Sequence, residues 1–340
     1  MVAPSASIDD VARLAGVSPT TVSHAISGRR PVSTEVRDRV LEAMEELSYT
    51  PRRSARSLAT GRTNVLALVV PDISNQYFAE LARGVEARAL ERDYNILLCN
   101  SGMDHVRELR YLTMLKSATV DGVIYAAGHP PSDEQLGRAL AGLPLVFVDE
   151  AIPETHRTVV MSDNRQGGRL AGEHLTGLGH RACLMINVGD GAISADEREA
   201  GFVATVKAAG GSVEVDHCAN YTYASGCEAI QPYIERVRSG EFTAIFAYND
   251  LVGLGILSCL HRAGLNVPED VSVVGFDDIP ASAFGFPSLT TVRQNVERMG
   301  ALAAEMLIDS IIADVELKPA RTDVAVELIV RESTRGLPSA

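Results

Sequence analysis

Seven short apolar runs, each followed closely by polar punctuation, recur along most of the chain: VLALVV (65–70), NILLC (95–99), GVIYAA (122–127), LVFVD (145–149), ACLMIN (182–187), AIFAY (244–248) and VSVVGF (271–276). Amphipathic stretches of helical period separate most of them: Tyr77 to Arg92, Val106 to Ser117, Asp133 to Ala141, Arg165 to Leu178, Asp196 to Ala209, Ser225 to Val237 and Leu251 to Ala263. A strand buried on both faces reads as a continuous apolar run, and strands alternating with helices require crossover connections. The pattern predicts an α/β fold with parallel sheets, and the series is long enough for two sheets in succession. At 340 residues the chain also exceeds what one hydrophobic core holds together.

The first sixty residues obey a different rule. Ser7-Ile8-Asp9-Asp10 is a capping-box variant that opens a helix carrying Ile8, Val11, Leu14 and Ala15 on one stripe. Gly16 permits a sharp turn, and Ser18-Pro19 starts a second helix running to Ser27. Val22, Ala25 and Ile26 face inward there, leaving Thr20, Thr21, Ser23 and His24 outside. A third helix begins at Ser33-Thr34-Glu35, with Val36, Val40, Met44 and Leu47 on one stripe. Two short helices joined by a glycine turn and buttressed by a third make a helix-turn-helix, the shape that lays a helix in the DNA major groove. Next comes RRSARSLATGRT (52–63), whose arginines interleave with small residues and a single large apolar side chain, Leu58. It is too short and too polar to bury itself; on DNA its arginines would neutralise phosphates and Leu58 would wedge into the minor groove.

Net charge is −13, which argues against a nucleic-acid partner only until it is divided. Residues 1–62 carry nine Arg against seven acids, or +2, and the remainder carries −15. A short DNA-facing segment on an acidic body is the expectation. The five cysteines are scattered, with no Cys-x-x-Cys pair, which predicts reduced structural thiols in a cytoplasmic protein. No apolar run approaches the length of a membrane span, and no signal peptide is expected.

SIDDVARLAGVSPTTVSHAISGRRPVSTEVRDRVLEAMEELSYTPRRSARSLATGRT resembles, without a break, the DNA-binding headpiece and hinge of the LacI/GalR family of bacterial transcriptional repressors. The resemblance implies that Thr20 and His24 read bases and that Ser18, Thr21, Ser23 and Ser33 contact phosphates. Arg53 and Arg56 belong to the DNA-contacting hinge, and Leu58 is its wedge. Arg52 departs from the Asn usual in the family. Continued to about residue 330, the resemblance implies a two-lobed fold like the type I periplasmic binding proteins. The implied division is a headpiece 1–50, a hinge 51–62, and an effector-binding and dimerisation domain 63–330. Within it the first lobe takes about 63–162 plus 291–320 and the second about 163–290 plus 321–330. A polar tail, 331–340, is expected to be disordered.

In such a fold ligands lie beyond the carboxyl ends of the strands. Polar groups recur there: Asn75 with Phe78, Asp149, Asp163, Arg198, Tyr221, Asn249 and Asp277. Carboxylates, amides and one Arg beside an aromatic ring suit a polyhydroxylated ligand, whose hydroxyls both donate and accept. By resemblance Arg198, Asn249 and Asp277 contact the effector. A sugar or sugar phosphate is expected; PTTVSH and QYFAE point to a purine or nucleoside instead, and YTYASG (221–226) to a phosphorylated carrier protein as corepressor.

Enzyme motifs fail on context. Gly177-Leu-Gly179-His-Arg-Ala182 follows a helix and precedes a strand, the reverse of a dinucleotide fingerprint, and Gly189-Asp-Gly191 lacks the third glycine. There is no Gly-x-x-x-x-Gly-Lys, Gly-x-Ser-x-Gly or His-Glu-x-x-His, so neither catalysis, cofactor nor metal is expected. The expected molecule is a homodimer that reads a pseudo-palindromic double-stranded operator, binds a small effector, and makes no use of a membrane.

Overall fold

A computed structural model describes residues 6–27, 30–49, 62–117, 120–126, 132–140, 142–152, 155–189 and 191–337. The expected hinge residues Arg53, Arg56 and Leu58 lie outside the described residues.

The amino-terminal unit contains α1 (Ile8–Ala15), α2 (Pro19–Ser27) and α3 (Thr34–Glu46). The capping box of α1 is complete: the Ser7 hydroxyl accepts the Asp10 N–H while the Asp10 carboxylate accepts the Ser7 N–H. Gly16 ends the helix at φ 66°, in the left-handed region that glycine enters without a side-chain clash. Val11, Ala12, Ala15, Val22, Ala25, Val40 and Ala43 form its core, with Ile26, Met44 and Leu47 packed against it. The expected inward stripe of α1 is wrong at one position. Leu14 is 46% exposed and Ala12 is buried instead, because the i, i+3, i+4, i+7 spacing puts Ala12 on the face of Ile8, Val11 and Ala15 and turns Leu14 away from it.

The remaining chain builds two six-stranded sheets. The first contains β1 (Val65–Val70), β2 (Asn95–Asn100), β3 (Gly122–Tyr125), β4 (Leu145–Val148), β5 (Thr158–Ser162) and β11 (Ala320–Val324), in the order β11-β5-β4-β3-β1-β2. The second contains β6 (Ala182–Val188), β7 (Ser212–Cys218), β8 (Ala244–Ala247), β9 (Ser272–Asp277), β10 (Thr290–Arg293) and β12 (Glu327–Ile329), in the order β12-β10-β9-β8-β6-β7. In each, the first two strands in sequence lie to one side and later strands are added to the other, so the order reverses next to β1 and next to β6. Pairing is parallel at β1/β3, β3/β4, β4/β5, β5/β11, β6/β7, β6/β8, β8/β9 and β9/β10, and antiparallel at β10/β12. Interior strands are buried along their length, as the continuous apolar runs require; β3, β4 and β8 bury every residue.

The change of lobe falls a few residues from the expected points. β10 (290–293) still belongs to the second sheet, and the long Val296–Ala313 helix then packs on the first. β11 (320–324) completes the first sheet, and β12 (327–329) completes the second. The helix expected over 225–237 is interrupted at Gln231–Tyr233 by a 3-10 turn containing Pro232, which cannot supply the amide an α-helix needs there.

The expectation of a disordered tail is overturned for residues 331–337. Ser333 is fully buried, accepts the Thr290 N–H at 2.8 Å and donates to the Val273 carbonyl at 2.6 Å. Arg335 N donates to Ser272 Oγ at 3.1 Å and Leu337 N to the Leu178 carbonyl at 2.9 Å. Polar residues here complete the hydrogen bonding of a strand margin, which composition alone cannot distinguish from solvation. Among the described residues no helix is long and apolar enough to cross a membrane.

Candidate functional site

Two groups of residues stand out, one in each unit. In the amino-terminal unit α2 buries Val22 completely and Ala25 almost so, which turns Thr20 outward; Thr21, Ser23 and His24 are half-exposed. Ser18 caps α2: its hydroxyl accepts the Thr21 N–H at 3.1 Å and lies 2.9 Å from Thr21 Oγ1. Ser33 caps α3 in the same way, accepting Val36 N at 3.3 Å. Two of the three serines expected at phosphates, Ser18 and Ser33, therefore fix the starts of their helices. A hydroxyl and an imidazole on a helix exposed beyond a tight turn are groups that reach base edges.

The second group surrounds a cleft of about 50 Å³ at the carboxyl ends of the strands. Pro71, Asn75, Tyr77 and Phe78 follow β1, and Asp149 and Glu150 follow β4. From the second sheet come Ala192, Ser194 and Arg198 after β6, Tyr221 after β7, Tyr248 and Asn249 after β8, Asp277 at the end of β9, and Gln294 after β10. The positions expected to bind effector thus converge, with one exception. Asp163 does not line this cavity; its carboxylate caps the Asn164–Gly177 helix by accepting Gln166 N at 2.9 Å. The neighbouring Asn164 is the residue tied to the site.

Arg198 is the centre of the cleft. It is 2% exposed, and its guanidinium lies 3.7 Å from the Phe276 ring centroid and 4.6 Å from that of Tyr248. Nε donates to Asn164 Oδ1 at 2.9 Å and Nη1 to the Tyr248 carbonyl at 2.9 Å. Two glycines place it. A Cβ on Gly168 would stand 2.1 Å from the Arg198 carbonyl and one on Gly201 2.1 Å from that of Arg165, so the Asn164–Gly177 and Ile193–Ala208 helices touch backbone to backbone only because neither has a side chain there.

Carboxylates face this cation. Asp149 stands at φ 72° and Asp277 at φ 115°, backbone conformations that L-residues rarely adopt and that turn both side chains out of their strand ends. Asp149 accepts a short hydrogen bond from the Tyr77 hydroxyl, and Asp277 accepts from Gln294 Nε2 at 2.7 Å. Burial raises both above the usual carboxylate range, against the opposing pull of Arg198. Glu150, 7% exposed, is pushed up to about 7, chiefly by burial. Behind the wall Asp250 accepts Ile279 N (2.9 Å), Ser282 Oγ (2.6 Å) and Thr291 Oγ1 (2.6 Å). Asn249 is both wall and cap: Oδ1 accepts Val252 N at 2.9 Å while Nδ2 lies 3.3 Å from the Tyr221 carbonyl. Gln294 Oε1 is buried with no hydrogen-bond partner among the described residues, an acceptor that a ligand hydroxyl would satisfy. Glu150, Ser194, Tyr248 and Gln294 were missed in the sequence. Glu150 was legible as the neighbour of Asp149, whereas Gln294 follows β10, TTVR, whose threonines and arginine give no continuous apolar run.

A helix-turn-helix unit in the same chain as a two-sheet domain with a polar interlobe cleft defines a class, the ligand-responsive DNA-binding regulator. Residues 7–52 match the family of bacterial regulatory proteins, lacI family, and residues 173–334 the periplasmic binding protein-like domain. The chain is 35% identical over 339 residues to the ribose operon repressor of Halalkalibacterium halodurans, covering 97% of each chain. A CelR–cellobiose complex superposes with a TM-score of 0.72 at 32% identity, covering 96% of this chain and 99% of that one. The lac repressor dimer bound to operator and the anti-inducer ONPF superposes at 0.84 with 25% identity, covering 98% and 100%. The chain belongs to the LacI family of bacterial transcriptional regulators, whose members are regulators rather than enzymes.

Proposed function

We propose that the protein is a cytoplasmic homodimeric repressor whose affinity for a pseudo-palindromic operator is set by a small polyhydroxylated molecule, a carbohydrate, held between the lobes. The observation that carries the effector class is the convergence of Asp149, Arg198, Asn249 and Asp277 on one cleft with the unpartnered Gln294 acceptor. Charged and amide partners of both donor and acceptor kind suit a ring of hydroxyls, and Phe78 and Tyr221 supply apolar surface for its faces. The names of the ribose repressor and the cellobiose complex support the same class.

On this reading Thr20 and His24 read bases, Ser18, Thr21, Ser23 and Ser33 contact phosphates, and the 51–62 segment with Arg53, Arg56 and Leu58 joins the headpiece 1–50 to the effector domain. Dimerisation has physical support in the exposed apolar side chains Phe284 (81%) and Phe286 (99%), which a lone protomer would leave in water. Effector binding favours one arrangement of the lobes, and linkage requires that operator binding change effector affinity by the same factor. Thermal-shift screening of the full chain against neutral sugars, sugar phosphates and nucleosides tests the effector class, because a specific ligand raises the melting point by mass action. A rise with a nucleoside and with no sugar would overturn it.

A further inference from the structure

The Ile193–Ala208 helix begins at Ala192 with no side-chain cap from its own segment, although its first N–H groups need partners. They find one in the opposite lobe. Ile193 N donates to Glu150 Oε1 at 3.1 Å, and Ser194 N (3.1 Å) and Ser194 Oγ (2.7 Å) donate to Glu150 Oε2. Ala151 N also reaches Oε1, at 3.1 Å. A carboxylate from the end of β4 thus closes the start of a helix that follows β6, across the cleft.

We propose that Glu150 is the cleft's own anion: it latches the two lobes together before effector arrives and occupies the position a phosphate would take, so that the effector is uncharged. The proposal deepens the carbohydrate reading and rests on it for the identity of the cleft. A helix amino terminus is a ready anion site, and here its first N–H groups meet the buried Glu150 carboxylate. All four partners of the carboxylate are donors, so a phosphate could enter only by expelling Glu150 and leaving it buried beside Asp149. The acceptor left open in the same cavity, Gln294 Oε1, asks for a hydroxyl. Burial works against the ionised form of Glu150, which makes the latch weak enough to be released.

Amide hydrogen exchange on the full-length, ligand-free protein at pH ~8, where the carboxyl is ionised, tests this. In Glu150→Ala the amides of 193–194 are expected to lose about tenfold in protection, together with 147–152 on the facing wall, while strand 244–247 is unchanged. The near-isosteric Glu150→Gln, which turns an N–H toward those donors, is expected to lose protection too. Inorganic phosphate at about 20 mM is expected to restore protection at 193–194 in Glu150→Ala and to leave the wild type unaffected, with chloride at equal ionic strength as control. Unchanged protection in both variants, a loss that phosphate does not restore, or phosphate protecting the wild type equally would each overturn the proposal. No sugar enters the experiment, so its failure is distinct from failure of the carbohydrate reading.

Discussion

Replacing Arg198 by Lys keeps the positive charge and removes the planar fork, and it isolates what the geometry contributes. The guanidinium donates to Asn164 Oδ1 and the Tyr248 carbonyl, both at 2.9 Å, and lies between two rings. Hydrogen bonds from a charged donor contribute about 1.5–3 kcal/mol each. Desolvated cation–π contacts add roughly 1–2 kcal/mol apiece. A lysine ammonium can recover one hydrogen bond and part of one ring contact, so the expected loss is about 3 kcal/mol. For a domain of this size that corresponds to a fall of very roughly 6–10 °C in melting temperature. Because the same side chain counters Asp149 and Asp277, effector affinity should fall by at least about tenfold, equivalent to ~1.4 kcal/mol. Differential scanning calorimetry of the effector transition gives the first quantity, and isothermal titration with the sugar found by screening gives the second. A variant that melts within about 2 °C of wild type and binds effector with unchanged affinity would show that charge alone suffices, and the account of Arg198 would be refuted.

Other consequences are as specific. Ser333→Ala leaves the buried Val273 carbonyl and Thr290 N–H unpaired, so a loss of about 1–3 kcal/mol is expected in urea unfolding; a neutral result would mean that the tail is not part of the fold. His24→Ala and Thr20→Ala should each relax base preference at one position per half-site, read by binding to a panel of single-base operator variants; uniform weakening across the panel would make the residue a backbone contact. Asp250 has a folded value raised to about 7 by burial, against an unfolded value near 4. The native state then holds a proton that the unfolded state has released. This contribution to stability is fully present below pH ~4 and is lost as pH rises to about 7. Asp250→Asn should remove that slope, and parallel urea midpoints for wild type and variant between pH ~5 and ~8 would contradict the assignment.

Much of this was legible in the sequence for a physical reason. Both-sides-buried strands must be apolar throughout, so β1, β3, β4, β6, β8 and β9 announced themselves, and the turn chemistry of Gly16 and Ser18-Pro19 fixed the headpiece helices. What was not legible depended on partners distant in sequence. The Val296–Ala313 helix crosses back to the first lobe and is largely apolar around its circumference, which blurs its period. β11, with the composition ARTDV, is a strand because it pairs with β5, and Ser333 is buried because β9 and β10 need its hydrogen bonds. In the site, strand-end position identified Asp149, Asn249 and Asp277, but the same rule could not separate the cap Asp163 from them. Glu150 required the other lobe to be seen.

The central claim is that the headpiece recognises DNA as a pair and that the cleft controls it. Selection of the full-length protein against random double-stranded DNA, followed by titration of the enriched sequence with and without the cleft's sugar at fixed salt, tests both parts together. The account predicts an inverted repeat that binds two protomers, with an affinity that sugar changes by about tenfold or more in wild type and not in Arg198→Lys at the same sugar concentration. Enrichment of no sequence, or an operator affinity that saturating sugar leaves unchanged, would contradict it.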